Sequence, residues 1–254
     1  YKFLEVVDLL ENYFEKDNKE EENNNQESKG NDKEEDKDKE TIIWFDIFSV
    51  NQHQQLQIDW FNTFKDAIQS FGRTVMVLSP WQDPVPLTRA WCLWELFCTV
   101  TTKSKFEIAM SVVSKEKFIE DMLNDPQGEI GKMLATIDVE RSECYLAEDK
   151  EKIFGLVRSN VGFSELNKLV FERLREWVIE TMKEELRLVE REELEFRESK
   201  STNEDNRNED NANNKDDYEL KQFLLKKAKY QNSLGTLFSQ QGRYSEAEPL
   251  YVEC

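Results

Sequence analysis

In the run TRAWCLWELFCTVT (88–101) the sole acidic side chain is Glu95, set in a cluster that includes Trp91 and Trp94. Aromatic neighbours lower the local dielectric, which strengthens whatever electrostatic work a carboxylate does there. The same pattern also serves as plain packing, with Trp91, Cys92 and Leu96 holding a helix to a sheet and Glu95 solvated. A second polar group lies upstream. Asp46, Asn51 and His53 fall at or after the carboxyl end of an apolar run at 41–50, the last two inside the polar loop SVNQHQQ (49–55). Open α/β sheets bind ligands at that edge. The plain alternative is that Asp46 caps or pairs locally and His53 is simply exposed.

Other chemistries are disfavoured by what is missing. Cys92, Cys98, Cys144 and Cys254 are scattered, and His53 is the only histidine, so the four clustered soft ligands of a zinc site are not at hand. Cys92 and Cys98 point in different directions on one helix and read as reduced packing cysteines of a cytoplasmic protein. There is no GxGxxG and no GxxxxGK[ST], which leaves neither a Rossmann nor a P-loop nucleotide site. One histidine makes a hydrolase triad improbable. No metal and no resident cofactor is required. The net charge of −19 argues against nucleic acid or an anionic membrane as the partner of the bulk surface. No apolar run approaches the ~20 residues of a membrane span. The opening YKFLEVVDLL lacks an initiator Met and a basic flank, and reads as an internal start within a longer protein.

The elements that must position Glu95 follow from periodicity. Phe3, Val7, Leu10 and Phe14 mark one helical face, after which 15–40 turns to Glu, Asp, Lys and Asn and predicts a disordered acidic insert. TIIWFDIFSV (41–50) reads as a strand buried on both faces. Trp60, Phe64, Ile68 and Phe71 predict a helix stopped by Gly72. RTVMVLS (73–79) is the next strand, 88–101 the next helix and 106–112 a third strand. That alternation implies right-handed crossovers and a parallel sheet with helices on both faces. The Pro-rich loop 81–88 reads as a stiff, lid-like segment. Further on, 115–124, 127–136 and 148–159 read as helices and SECYLA (142–147) as a short edge strand. Phe163, Leu166, Val170, Leu174, Trp177 and Val178 line one face of a helix over 162–182 that can run on towards Glu198. The tract 199–217 reads as a flexible polar linker.

The last segment changes character. In AKYQNSLGTLFSQQGRYSEAEPLYVEC, Leu234, Gly235, Phe238, Gly242, Tyr244, Ala247 and Tyr251 fall where a tetratricopeptide (TPR) repeat needs them. Small residues let two helices approach, while Phe238 and Tyr251 fill the space between them. A lone repeat cannot bury its own faces, so further repeats are expected beyond Cys254.

With Ser79, Trp91, Cys92, Glu95 and Leu96 in place, the first 112 residues resemble the Toll/interleukin-receptor (TIR) domain family, in which a Ser-terminated strand leads to a W-C-x-x-E-L helix. Asp46 and Arg73 also fit. The segment 242–251 is similar to the TPR repeats of kinesin light chains. The resemblance implies an α/β fold with a flavodoxin-like parallel sheet, followed by a helical extension and a partial TPR hairpin. The implied domains are 1–147, 148–198, the linker 199–217 and a TPR region over 218–254. A TIR domain opens with a central strand, and this chain begins at what corresponds to the following helix, so that strand is expected upstream of Tyr1 or replaced by another segment.

The resemblance further implies a cytoplasmic signalling adaptor, with TIR–TIR self-association and a protein or peptide partner on the TPR array. An alternative implication is an NAD nucleosidase. Glu95 would then stabilise positive charge on the ribose as the nicotinamide bond breaks, Trp91 and Trp94 would shape the pocket, and NAD would be the substrate. A third is a cargo adaptor of the kinesin-light-chain kind, for which the charged stretch 180–198 is short of a heptad region.

Overall fold

The computed structural model describes residues 3–26, 42–43, 60–78, 80–82, 84–201 and 209–253. Among them the chain is mostly helical, with one sheet of two parallel strands. It divides into two compact units. One comprises Tyr1–Leu78 with Cys98–Ser111, the other Ser79–Phe97 with Val112–Cys254.

In the first unit, helix α1 spans Phe3–Gln26 and α2 spans Trp60–Phe71. Gly72 ends α2 in the left-handed region (φ 69°), its N–H donating to Ile68 O at 2.9 Å. That conformation lacks a Cβ penalty only for glycine. Strand β1 (Arg73–Val77) follows at once, and β2 (Lys105–Ala109) pairs with it in parallel from Arg73↔Lys105 to Val77↔Ala109. Two further backbone bonds extend the ladder, Lys105 N–H to Gly72 O at 2.8 Å and Leu78 N–H to Ala109 O at 3.0 Å. Leu10, Phe64, Ile68, Met76, Leu78, Phe106 and Ile108 form the core. On the half-buried face of the strand pair, Arg73 bonds Glu107 and lies 5.0 Å from the Phe14 ring centroid. Thr99 Oγ1 donates to Thr74 Oγ1 at 2.8 Å.

The expected insert 15–40 needs correcting at its start, because α1 continues to Gln26. Adding residues to an existing helix is far cheaper than nucleating one, and Glu, Lys and Gln are good helix formers. The expected strand 41–50 lies outside the described residues except for Ile42 and Ile43, which are not in a strand.

In the second unit, a 3-10 turn covers Val85–Thr88 and leads into helix α3 (Ala90–Thr101), whose first eight residues belong here. Helix α4 is Val112–Asn124 and α5 is Pro126–Ala135. Asp125 caps α5, accepting from Gly128 N–H at 2.9 Å, with proline at the first helical position. Helix α6 (Ala147–Asn160) precedes α7 (Phe163–Ser201). The predicted stripe of α7 is buried at Leu166, Val170, Leu174, Trp177 and Val178, while Phe163 packs edge-on against Phe154 with centroids 5.1 Å apart.

SECYLA is not a strand. Glu143 makes a single bridge with Arg89, its neighbour Ser142 closes the 3-10 turn Val139–Arg141, and Leu146 caps α6. With its backbone committed to those ends, the segment cannot extend a ladder, and Tyr145 stands 97% exposed.

Helix α8 (Glu209–Gln240) returns antiparallel to α7. The pairs Lys200–Asp216 (2.5 Å), Lys226–Glu192 (3.8 Å) and Lys227–Glu190 (3.1 Å) run in opposite senses on the two helices, and Phe196 meets Phe223 at 5.6 Å. The expected linker 199–217 is therefore helical at both ends, with only 202–208 outside the described residues. These pairs and the Phe196–Phe223 contact join α7 and α8 on the two sides of that tract. Helix α9 (Tyr244–Glu253) closes the chain.

Candidate functional site

Backbone bonds fix the start of α3. Ala90 N–H donates to Glu143 O at 2.9 Å, and Glu143 N–H donates to Thr88 O at 2.8 Å. Leu93 and Leu96 are buried completely, which orients the helix. Trp91 and Glu95 are one turn apart on the same face, and both are half-buried. Trp94 is 5% exposed and tilts against Phe97 at 5.2 Å. The three residues predicted to act together on this helix are thus close along one segment. Asp46, Asn51 and His53 lie outside the described residues.

The Pro-rich loop is anchored by its apolar residues. Trp81 is 1% exposed and Leu87 fully buried. Trp81 meets Phe118 edge to face at 5.3 Å, and Phe118 tilts against Trp177 at 5.2 Å. A stack running from the loop through α4 into α7 fixes this segment. Among the described residues, no group of three or more His, Cys, Asp or Glu could hold a metal ion, and no helix is long and apolar enough to cross a membrane.

The TPR-type residues form a helical hairpin. Gly242 (φ 72°) allows the turn after α8, and Arg243 N–H donates to Phe238 O at 2.9 Å. Leu234, Phe238 and Ala247 are buried. A Cβ on Gly235 would stand 2.7 Å from Tyr251 Cε1, so the two helices approach there as only glycine permits. Tyr251 keeps 44% exposure, its hydroxyl 3.4 Å from Ser239 Oγ. Tyr244, expected in the packing, is 68% exposed. At the first turn of α9 its neighbour Arg243 takes the inward position.

Arg243 is the residue that periodicity does not reveal. Its guanidinium grips both carboxylate oxygens of Glu246 (2.6 and 2.8 Å), reaches Glu176 on α7 at 2.8 Å and lies 4.5 Å from the Phe238 ring centroid. Such a fork binds carboxylates bidentately. The hydrogen bond from Arg243 holds the Glu246 carboxyl below its ordinary value, and the same bond raises the guanidinium. Lys183 Nζ lies 4.9 Å from the Phe238 ring centroid. A groove of about 370 Å³ opens beside it, lined by Lys183, Leu186, Arg187, Leu234, Phe238 and Pro249 among others. The GRYSE sequence offers a partial signal, since Glu246 follows Arg243 by one helical turn. Glu176 offers none.

No family model, no curated protein and no solved structure matches this chain.

Proposed function

We propose that this chain is a cytoplasmic signalling adaptor, in which a TIR-like α/β domain with a flavodoxin-like sheet is joined by a helical extension to a protein-binding TPR region. The observation that carries the reading is the Gly235–Tyr251 approach inside the α8–α9 hairpin, with Leu234, Phe238 and Ala247 buried around it. That is the packing logic of a TPR helix pair, and TPR pairs bind protein segments through stacked repeats. The parallel β1–β2 pair supports the α/β half of the reading. The function rests on self-association of the TIR-like domain without turnover. Sedimentation velocity over a concentration series tests it, together with incubation with NAD. Reversible self-association with no nicotinamide release is expected. A chain that stays monomeric at all concentrations overturns the adaptor.

A second reading makes the chain an NAD nucleosidase. The half-buried position of Glu95, one turn from Trp91, favours it. A carboxylate there would oppose the positive charge that builds on the ribose. Nicotinamide release abolished by Glu95→Ala would establish this reading in place of the adaptor.

A further inference from the structure

Among the described tyrosines, Tyr145 is both the most exposed, at 97%, and the one that stands outside a helix. Tyr218, Tyr244 and Tyr251 keep 64%, 68% and 44% exposure, but each is wound into α8 or α9. Tyr230 is buried, and Tyr13 is half-buried in α1.

Two fixed points display Tyr145. On one side Glu143 donates its N–H to Thr88 O and accepts from Ala90 N–H. On the other, Leu146 stands at the start of α6 and makes no side-chain bond to it. The first turn of that helix therefore lacks the support that Ser, Thr, Asp or Asn would supply there. Leu146, Ala147 and Glu148 are all exposed, so opening the turn uncovers little apolar surface.

Charge narrows what would act on this residue. Glu140, Glu143 and Glu148 are exposed and Asp149 is half-buried, and none of the four is in an ion pair among the described residues. The cations near by are fewer. Arg141 is held by Asp138 at 3.2 Å, Lys150 lies 5.1 Å from the Phe154 ring centroid, and Arg89 pairs with Glu143 through the backbone. Further along α6, Glu151 and Lys152 offset each other.

We infer that Tyr145 is a phosphorylation site for a tyrosine kinase whose substrate groove is basic and so favours acidic flanks. The Tyr145 hydroxyl oxygen attacks the γ-phosphorus of Mg·ATP, the bond to the ADP oxygen breaks, and the hydroxyl proton passes to the kinase's catalytic carboxylate. Tyr145 can enter such a cleft as it stands, whereas Tyr218, Tyr244 and Tyr251 must first unwind a turn of helix. The product adds about −1.5 to −2 charges in full solvent, within reach of arginines on a partner protein.

The test incubates the full chain with a soluble, acid-directed tyrosine kinase and Mg·ATP, a glutamate–tyrosine copolymer serving as the positive control. Mass spectrometry after digestion maps the phosphate. Tyr145 should be modified about tenfold or more faster than Tyr218, Tyr244 or Tyr251. Tyr145→Phe should remove most of the incorporated phosphate. Glu143→Lys with Glu148→Lys should slow modification of Tyr145 by about tenfold. Unfolding would instead raise uptake at the helical tyrosines, which separates loss of charge from loss of fold. No phosphate on Tyr145, equally fast uptake at a helical tyrosine, or indifference to the two lysines would each overturn the inference.

Discussion

Arg243 and Glu176 are 67 positions apart in the chain and 2.8 Å apart in space. Glu176 precedes Trp177, which stacks on Phe118, so the arginine ties the α8–α9 hairpin to α7 beside an aromatic anchor. The contact between Arg243 and Phe238 adds a cation–π component. Arg243→Ala is expected to lower the stability of the second unit by about 1 kcal/mol, mainly through lost stacking and the cross-helix bond. Urea unfolding followed by circular dichroism measures it. A double-mutant cycle with Glu176→Gln should return a nonzero coupling, and strict additivity would mean the bridge contributes nothing.

The same cluster makes the hairpin sensitive to acid. Arg243 hydrogen bonding holds the folded Glu246 carboxyl below its unfolded value. The stabilisation is therefore complete above the ordinary carboxylate range and is lost as the pH falls through the lowered folded value. Wild-type chain should lose urea resistance across that acid interval more steeply than Arg243→Ala. Parallel pH profiles for the two chains would rule out a role for this pair.

The elements with a strong apolar period were legible in the sequence, and those held by paired charges were not. The run from Arg73 to Ser79 is β-branched and bounded by Gly72, and β1 occupies Arg73–Val77. Leu166, Val170 and Leu174 repeat with a helical period and are buried to the last on α7. Composition misled at the polar tracts, because low apolar content was read as absence of structure. Helix α1 propagates to Gln26, and α8 starts at Glu209. Lys200–Asp216 and Lys227–Glu190 join helices whose register no single segment encodes. The prolines of the loop 81–88 suggest a stiff segment, whereas the burial of Trp81 depends on Phe118, 37 residues away. At the candidate site, Trp91, Trp94 and Glu95 could be placed because they share one helix. Asp46, Asn51 and His53 lie outside the described residues.

Replacing Gly235 tests the hairpin packing directly. In an exposed helix, Gly→Ala stabilises by about 0.5–1 kcal/mol. Here the added methyl would stand 2.7 Å from Tyr251 Cε1 and 2.8 Å from Cζ, so the ring must move. The loss of that contact is expected to exceed the helical gain, leaving Gly235→Ala less stable by about 1 kcal/mol. In a Tyr251→Ala background the clash disappears, and the same change should become stabilising. The reversal of sign is the readout, taken from thermal unfolding of the four chains.

Phe118 is the middle ring between Trp81 and Trp177 and is fully buried. Truncating a buried phenylalanine typically costs about 3–5 kcal/mol through lost transfer energy and a residual cavity. Phe118→Ala should therefore approach the limit of what the unit tolerates. Phe118→Leu should cost less and still alter the near-ultraviolet dichroism, since both tryptophans lose their aromatic neighbour. An unchanged tryptophan signal in Phe118→Leu would show that the stack does not exist in solution.

Tyr230 supplies an alkaline counterpart on α8. Burial, reinforced by the charges of Glu185 and Glu192, pushes its hydroxyl up to about 12, and the residue is 2% exposed. A phenolate in that position would be desolvated beside two carboxylates, so the folded chain holds the proton where the unfolded chain releases it. Stability from this group is full below the ordinary tyrosine value and is lost as the pH rises towards the folded value. Tyr230→Phe keeps the ring in the core and removes the ionisable group. The variant should resist alkaline unfolding better than wild type in a pH titration followed at 222 nm, and its tyrosinate absorbance should lack the late, unfolding-coupled step. Equal alkaline midpoints would show that Tyr230 ionises without penalty, and the close α7–α8 packing that buries it would then be wrong.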